Sequence, residues 1–118
     1  MSLDVLTISA KGMWLSESLR DSVEKSIYAA TKRFSHLRIN QISVILDATN
    51  KNQRVTILFS STEVKLSCTA NEGNIYKSLA RCKKRLQQKI KKRIAKKKRQ
   101  KQNQALKYSE LEFLMLAN

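Results

Sequence analysis

The chain has 118 residues, 42% of them hydrophobic, and a formal charge of +15 at pH 7 from 24 Lys and Arg against 9 Asp and Glu. This fits one domain with extensions, and no apolar run approaches the roughly 18 residues of a membrane span. Met1-Ser2-Leu3-Asp4 lacks the cationic start and apolar core of a signal peptide, and two cysteines with one histidine make neither a disulfide framework nor a zinc site. The expectation is a cytoplasmic protein without metal or cofactor.

Leu6-Thr7-Ile8-Ser9 alternates apolar and polar residues and reads as a short strand, broken at Lys11-Gly12. Ser16 suits a helix N-cap, with Glu17 and Asp21 favoured by the positive end of the helix that follows. Leu19, Val23, Ile27, Ala30 and Phe34 recur at helical spacing and point inward, while Arg20, Glu24, Lys25, Lys32 and Arg33 point outward. Met13 and Trp14, just before the cap, read as a hydrophobic staple against this helix rather than as a base-stacking platform. His36 follows the helix, where a cation suits its negative end.

Three alternating strands follow. Ile42, Val44 and Leu46 face inward on the first, Val55, Ile57 and Phe59 on the second, and Val64, Leu66 and Cys68 on the third. Asn50-Lys51-Asn52 reads as a hairpin turn, since Asn tolerates positive φ. The outer positions are mostly polar, as in an antiparallel sheet with one face in water, and Asp47 and Glu63 there read as solvated. The predicted order is β-α-β-β-β-α: an α+β fold with two helices packed on one face of a four-stranded sheet.

The last helix sets the character of the chain. Ile75, Leu79, Cys82, Leu86, Ile90 and Ile94 draw one apolar stripe, and nearly everything off it is cationic. From Gly73 to Ser109 there are 15 Lys and Arg and no acidic residue, whereas the rest of the chain has 9 of each sign. Cations at neighbouring helical positions repel one another when no carboxylate intervenes, so such a surface suits a polyanion. A helix from Asn74 to Lys101 would run about 42 Å, past strands of about 17–20 Å, and would project as a basic arm. Residues 1–99 are read as the domain and 100–118 as a flexible tail with an apolar ending, Leu111 to Leu116. Cys68 and Cys82 both fall on inward faces and read as small buried thiols.

No nucleophile paired with a base, glycine-rich phosphate loop or metal-spaced cluster is recognisable, so an enzyme is not expected. Tyr28 and Tyr76 fit base stacking and helix-to-sheet packing equally well.

Several local patterns, in order, resemble the ribosome hibernation promoting factor family, also called ribosome-associated inhibitor or sigma-54 modulation protein. Ile8 to Arg20 is similar to the family's strand, basic loop and "LR" helix start, and Lys32-Arg33-Phe34 to the end of its first helix. Ile42 to Asp47 is similar to its second strand, and Cys68 to Tyr76 to its strand-to-helix junction. The resemblance covers about residues 5–95. It implies rRNA contacts at Lys11, Arg20, Lys25, Lys32, Arg33, Arg85, Lys89 and Lys92. It also implies a monomer that binds the small ribosomal subunit between head and body, near the mRNA channel and tRNA sites, and inhibits translation. No membrane or small-molecule substrate is implied. Gln88 stands where the family often has Arg, and Gly73 replaces a usual acidic residue. With no room after Arg99 for the second domain of long members, the chain resembles a short form. The alternative is a general structured-RNA binder like a double-stranded RNA-binding domain, which concentrates its basic motif at the start of its second helix. Here that turn is Asn74-Ile75-Tyr76-Lys77, and the charge builds later.

Overall fold

The computed structural model describes residues 5–34, 36–49 and 51–116, with side chains as far as Lys96. Its elements are β1 (Leu6–Lys11), α1 (Glu17–Thr31) closed by a 3-10 turn (Lys32–Phe34), β2 (Ile39–Asp47), β3 (Gln53–Ser61), β4 (Lys65–Glu72) and α2 (Ile75–Leu116). The fold is α+β in the predicted order. The four strands lie side by side as β1-β2-β3-β4. The sheet is mixed rather than antiparallel throughout, because β1 pairs parallel to β2 across the α1 crossover. The β2-β3 and β3-β4 pairs are antiparallel, joined by short turns.

The strand alternation becomes one continuous apolar face. Ile42, Val44 and Leu46 pair in register with Phe59, Ile57 and Val55, and Ile57 pairs with Cys68. Against this face pack Leu19, Val23, Ile27 and Ala30 of α1 and Ile75, Leu79, Cys82, Leu86 and Ile90 of α2, all buried. Ile94, at the end of the stripe, is only partly buried because the sheet beneath it runs out. Leu66 is also only partly covered.

Ser16 caps α1 as expected, its Oγ accepting from the Leu19 N–H at 3.1 Å. The staple assignment fails at Trp14, which is 85% exposed. Its neighbours Met13 and Leu15 pack against the core instead, and Leu15 occupies the position just before the cap from which a staple reaches back. Tyr28 and Tyr76 are likewise exposed rather than packed between helix and sheet. Gly12 has φ +68°, and a Cβ there would meet Thr49 Cγ2 at 2.9 Å, so the turn after β1 needs glycine on both counts.

Among the described residues no non-glycine has positive φ; Asn50, from which the hairpin reading drew it, lies outside them. The β2-β3 turn is held by Asp47, whose Oδ1 accepts from the Thr49 N–H at 3.0 Å and hydroxyl at 2.6 Å. Asp47 therefore has a local structural role. His36 is exposed after the 3-10 turn.

The start of α2 is tied down by three polar side chains. Asn74 Oδ1 accepts from Lys77 N–H at 2.9 Å, Gln53 Oε1 accepts from Ile75 N–H at 2.7 Å, and the buried Ser78 hydroxyl bridges Gln53 and Glu72. The bonds from Asn74 and Gln53 satisfy N–H groups that a helix start otherwise leaves without partners, and the Ser78 hydroxyl ties α2 to the ends of β3 and β4. The helix then continues beyond the expected limit at Lys101, to Leu116. No glycine or proline follows Gly73, and the residues after Lys101 are mostly good helix formers. The boundary read at residue 99 and the apolar ending Leu111 to Leu116 concern side chains outside the described set.

Candidate nucleic-acid interface

All eight predicted contact residues are exposed, but they do not form one surface. Arg85, Lys89 and Lys92 recur at steps of four and three and share one flank of α2, the flank lying along β4. Lys25 lies on α1, and Lys32, the C-cap residue that opens the 3-10 turn, follows seven residues later at nearly the same angle around the axis, about 20° away, whereas Arg20 is about 140° from Lys25. Arg20 therefore neighbours Glu24 rather than the other α1 cations. Arg33 sits in the 3-10 turn, and Lys11 closes β1 in register with Asp47. The cations of α1 thus mix with acids, and those of α2 do not.

The geometry of the α2 flank comes from an edge strand. β4 ends the sheet, and its outward carbonyls would otherwise be open to pairing with another chain. The Arg85 guanidinium donates to the Thr69 carbonyl, and Lys89 Nζ donates to the Ser67 carbonyl at 2.7 Å. One turn nearer the helix start, Arg81 Nε meets Glu72 Oε1 at 2.9 Å. Helix and strand are stitched together by their own cations.

Beside this seam lies an open groove of about 490 Å³ lined by Lys65, Leu66, Ser67, Lys89, Lys92 and Arg93. A second, of about 400 Å³, is lined by Glu72, Lys77, Ala80, Arg81 and Lys84. Four cations around the first groove, with the Ser67 hydroxyl among them, offer donors to phosphate oxygens. Lys65 and Arg93 were not among the predicted contacts. Their signal was in the sequence only as charge, since their nearness to Lys89 depends on how α2 crosses β4.

Elsewhere the ionisable groups serve the fold. Cys68 and Cys82 are buried with their sulfurs 3.4 Å apart across the β4-α2 contact. The hydrogen bond with Cys68, and burial, push the Cys82 thiol far up, so it stays protonated near neutral pH. Asp47 is held below the usual carboxylate range by hydrogen bonds from the Thr49 hydroxyl and backbone, with Arg54 adding to them. Among the described residues no group of three His, Cys, Asp or Glu side chains could hold a metal, and no helix is long and apolar enough to cross a membrane.

These features define a small α+β binding module that presents an acid-poor cationic flank on a rigid helix-strand seam. Residues 6–98 match the family described as Sigma 54 modulation protein / S30EA ribosomal protein, and the chain belongs to that family of ribosome-associated factors. Among solved structures it is similar to the N-terminal domain of Thermus thermophilus Protein Y. That likeness has a TM-score of 0.66 at 19% identity and covers 72% of this chain and 92% of that one. It is also similar to a ribosomal subunit interface protein from Coxiella burnetii, with a TM-score of 0.68 at 19% identity, covering 76% of this chain and 97% of that one. No curated protein matches the chain.

Proposed function

We propose that this protein is a ribosome hibernation factor. In this reading it binds rRNA of the small subunit near the mRNA channel and tRNA sites, and inhibits translation by occupying them, without chemistry. It acts in the cytosol and is a monomer away from the ribosome. The observation that carries the reading is the α2 flank: Arg85, Lys89 and Lys92, joined by Lys65 and Arg93, form a cationic row fixed to the edge of the sheet in a chain of this family. Lys11, Arg20, Lys25, Lys32 and Arg33 are secondary contacts around the first helix.

Phosphate contacts supply affinity through counterion release and carry no sequence information. A flexible basic arm would therefore bind any RNA about equally. A row of cations in fixed geometry selects a channel whose phosphate walls match it, which is recognition by shape. This favours the ribosome over the general RNA binder.

The test is filter binding to small subunits at near-physiological salt with unstructured RNA in excess, challenged by mRNA and initiator tRNA. Saturable binding near one-to-one, displaced by the two challengers, is the expected result. If unstructured RNA strips the protein off as readily as they do, the general RNA binder takes its place.

A further inference from the structure

The chain has two cysteines, and the fold brings them face to face. Cys68 lies on β4 and Cys82 on α2, and their sulfurs stand 3.4 Å apart in the core. Each sulfur also lies against the other's backbone. The Cys68 sulfur is 3.5 Å from the Cys82 carbonyl oxygen, and the Cys82 sulfur is 3.4 Å from that of Cys68. Strand and helix therefore approach closely here, and the sulfurs need to draw together by only about 1.4 Å to reach bonding distance. Packing alone does not call for two thiols, since their neighbours Ile57, Leu79 and Leu86 fill the same core with aliphatic side chains.

The pair sits in the middle of the seam that carries the cationic flank. Cys68 separates Ser67 and Thr69, whose carbonyls accept from Lys89 and Arg85, and Cys82 precedes Arg85 by about one helical turn. β4 is an edge of the sheet, so when α2 lifts from it the tethers break and the thiols meet water. The hydrogen bond with Cys82 lowers the Cys68 thiol against the opposing effect of burial, and the charges of Lys89 and Arg85 add to the lowering. Cys68 is therefore the sulfur that ionises first and attacks.

We propose that Cys68 and Cys82 are a redox modification site, where hydrogen peroxide forms a disulfide that latches α2 to β4 beneath the cationic flank. The chemistry rests on the two sulfurs, and its use in regulating the flank rests on the ribosome-binding reading above. The Cys68 thiolate attacks one peroxide oxygen, the O–O bond breaks, and the departing hydroxide takes up the proton that Cys68 released. The Cys82 sulfur then attacks the Cys68 sulfenic sulfur, and the hydroxyl leaves as water with the Cys82 proton. The two thiols lose two electrons, and hydrogen peroxide becomes two molecules of water. Small thiols reverse the link by exchange, so in a reducing compartment it is transient.

The disulfide closes a loop of about 15 residues, which restricts the unfolded chain and holds the helix on the strand. The flank then keeps its geometry under oxidising conditions, while the reduced seam stays free to open.

Full-length protein is treated with hydrogen peroxide under native conditions and mapped by mass spectrometry without reductant. The expected product is a monomer that has lost two hydrogens, with the Cys68 and Cys82 peptides joined. Its melting temperature should rise by roughly 10–20 °C and return to the starting value with dithiothreitol. Amide exchange in α2 around Cys82 should slow at least about tenfold. Both forms should bind small subunits in filter assays, the oxidised form at least as tightly. Cys82→Ala, which leaves Cys68 without its partner, should show neither the link nor the shift on peroxide treatment.

Sulfinic acid or intermolecular dimers in place of the internal link overturn the proposal, as does a link that forms only after denaturation. A link that leaves melting and exchange unchanged, or that abolishes subunit binding, also overturns the latch. If the link forms and raises the melting temperature but neither form binds subunits, the ribosome reading fails and the modification site stands.

Discussion

Replacing Arg85, Lys89 and Lys92 together by Gln removes three positive charges from the α2 flank while keeping side chains that can still donate hydrogen bonds. If each cation neutralises one phosphate, the log–log salt slope of binding should flatten by about 2.1–2.7, at 0.7–0.9 per phosphate. Between 50 and 200 mM salt, a fourfold change, that difference corresponds to roughly 20–40-fold less loss of affinity than wild type suffers over the same range. The fold should survive. Arg85 and Lys89 each lose a charged bond to a solvent-accessible carbonyl, worth at most about 1 kcal/mol apiece and partly replaced by Gln. The assay is filter binding to small subunits at several salt concentrations, with thermal melting as the control for folding. A folded triple variant whose slope equals that of wild type would show that the α2 flank does not meet phosphates.

Three further perturbations test the fold. Leu86→Ala, at a fully buried position beneath α2, should cost about 3–5 kcal/mol, whereas Leu66→Ala, half-covered, should cost roughly 1–2, and equal losses by denaturant titration would contradict the assigned burial. Gly12→Ala should destabilise by about 1–2 kcal/mol through its positive φ, with Gly73→Ala, where nothing lies within 4 Å of the added carbon, as a near-neutral control in the same melts. The Asp47 carboxyl is lowered by its Thr49 hydrogen bonds, so its stabilising effect is present above the unfolded carboxylate pKa and lost as pH falls through the folded value. Asp47→Asn should therefore flatten the acid limb of the stability–pH profile, and an unchanged limb would remove Asp47 from the turn.

The inner faces of strands and helices could be read from the sequence because both periodicities report burial directly. Val55, Ile57 and Phe59 alternate, and Leu79, Cys82, Leu86 and Ile90 recur at helical steps. Pairing direction could not be read: Leu6 and Ile8 look the same whether β1 runs with β2 or against it. Trp14 was misread because type and position argue for burial, and only the backbone path decides that Leu15 packs and Trp14 does not. At the candidate site the cations were obvious one by one, and Arg85, Lys89 and Lys92 share a flank by spacing alone, but the strand cation that joins them was not legible. The distance of Lys65 from Lys89 is a tertiary property, and the separation of Arg20 from Lys25 follows from helical phase once the helix is accepted.

The bonds from Arg85 and Lys89 to β4 carbonyls also bear on how quickly and cheaply a polyanion can be held. A long cationic side chain forfeits up to about 1.5–2 kcal/mol of rotamer freedom when it is fixed in place. On α2 a share of that loss is incurred when the domain folds, since each side chain is already tethered to the strand. An arginine has five N–H donors and a lysine three, so the tether leaves others directed at solvent. An incoming phosphate then finds donors held near their bound positions, and its affinity is not reduced by having to order them.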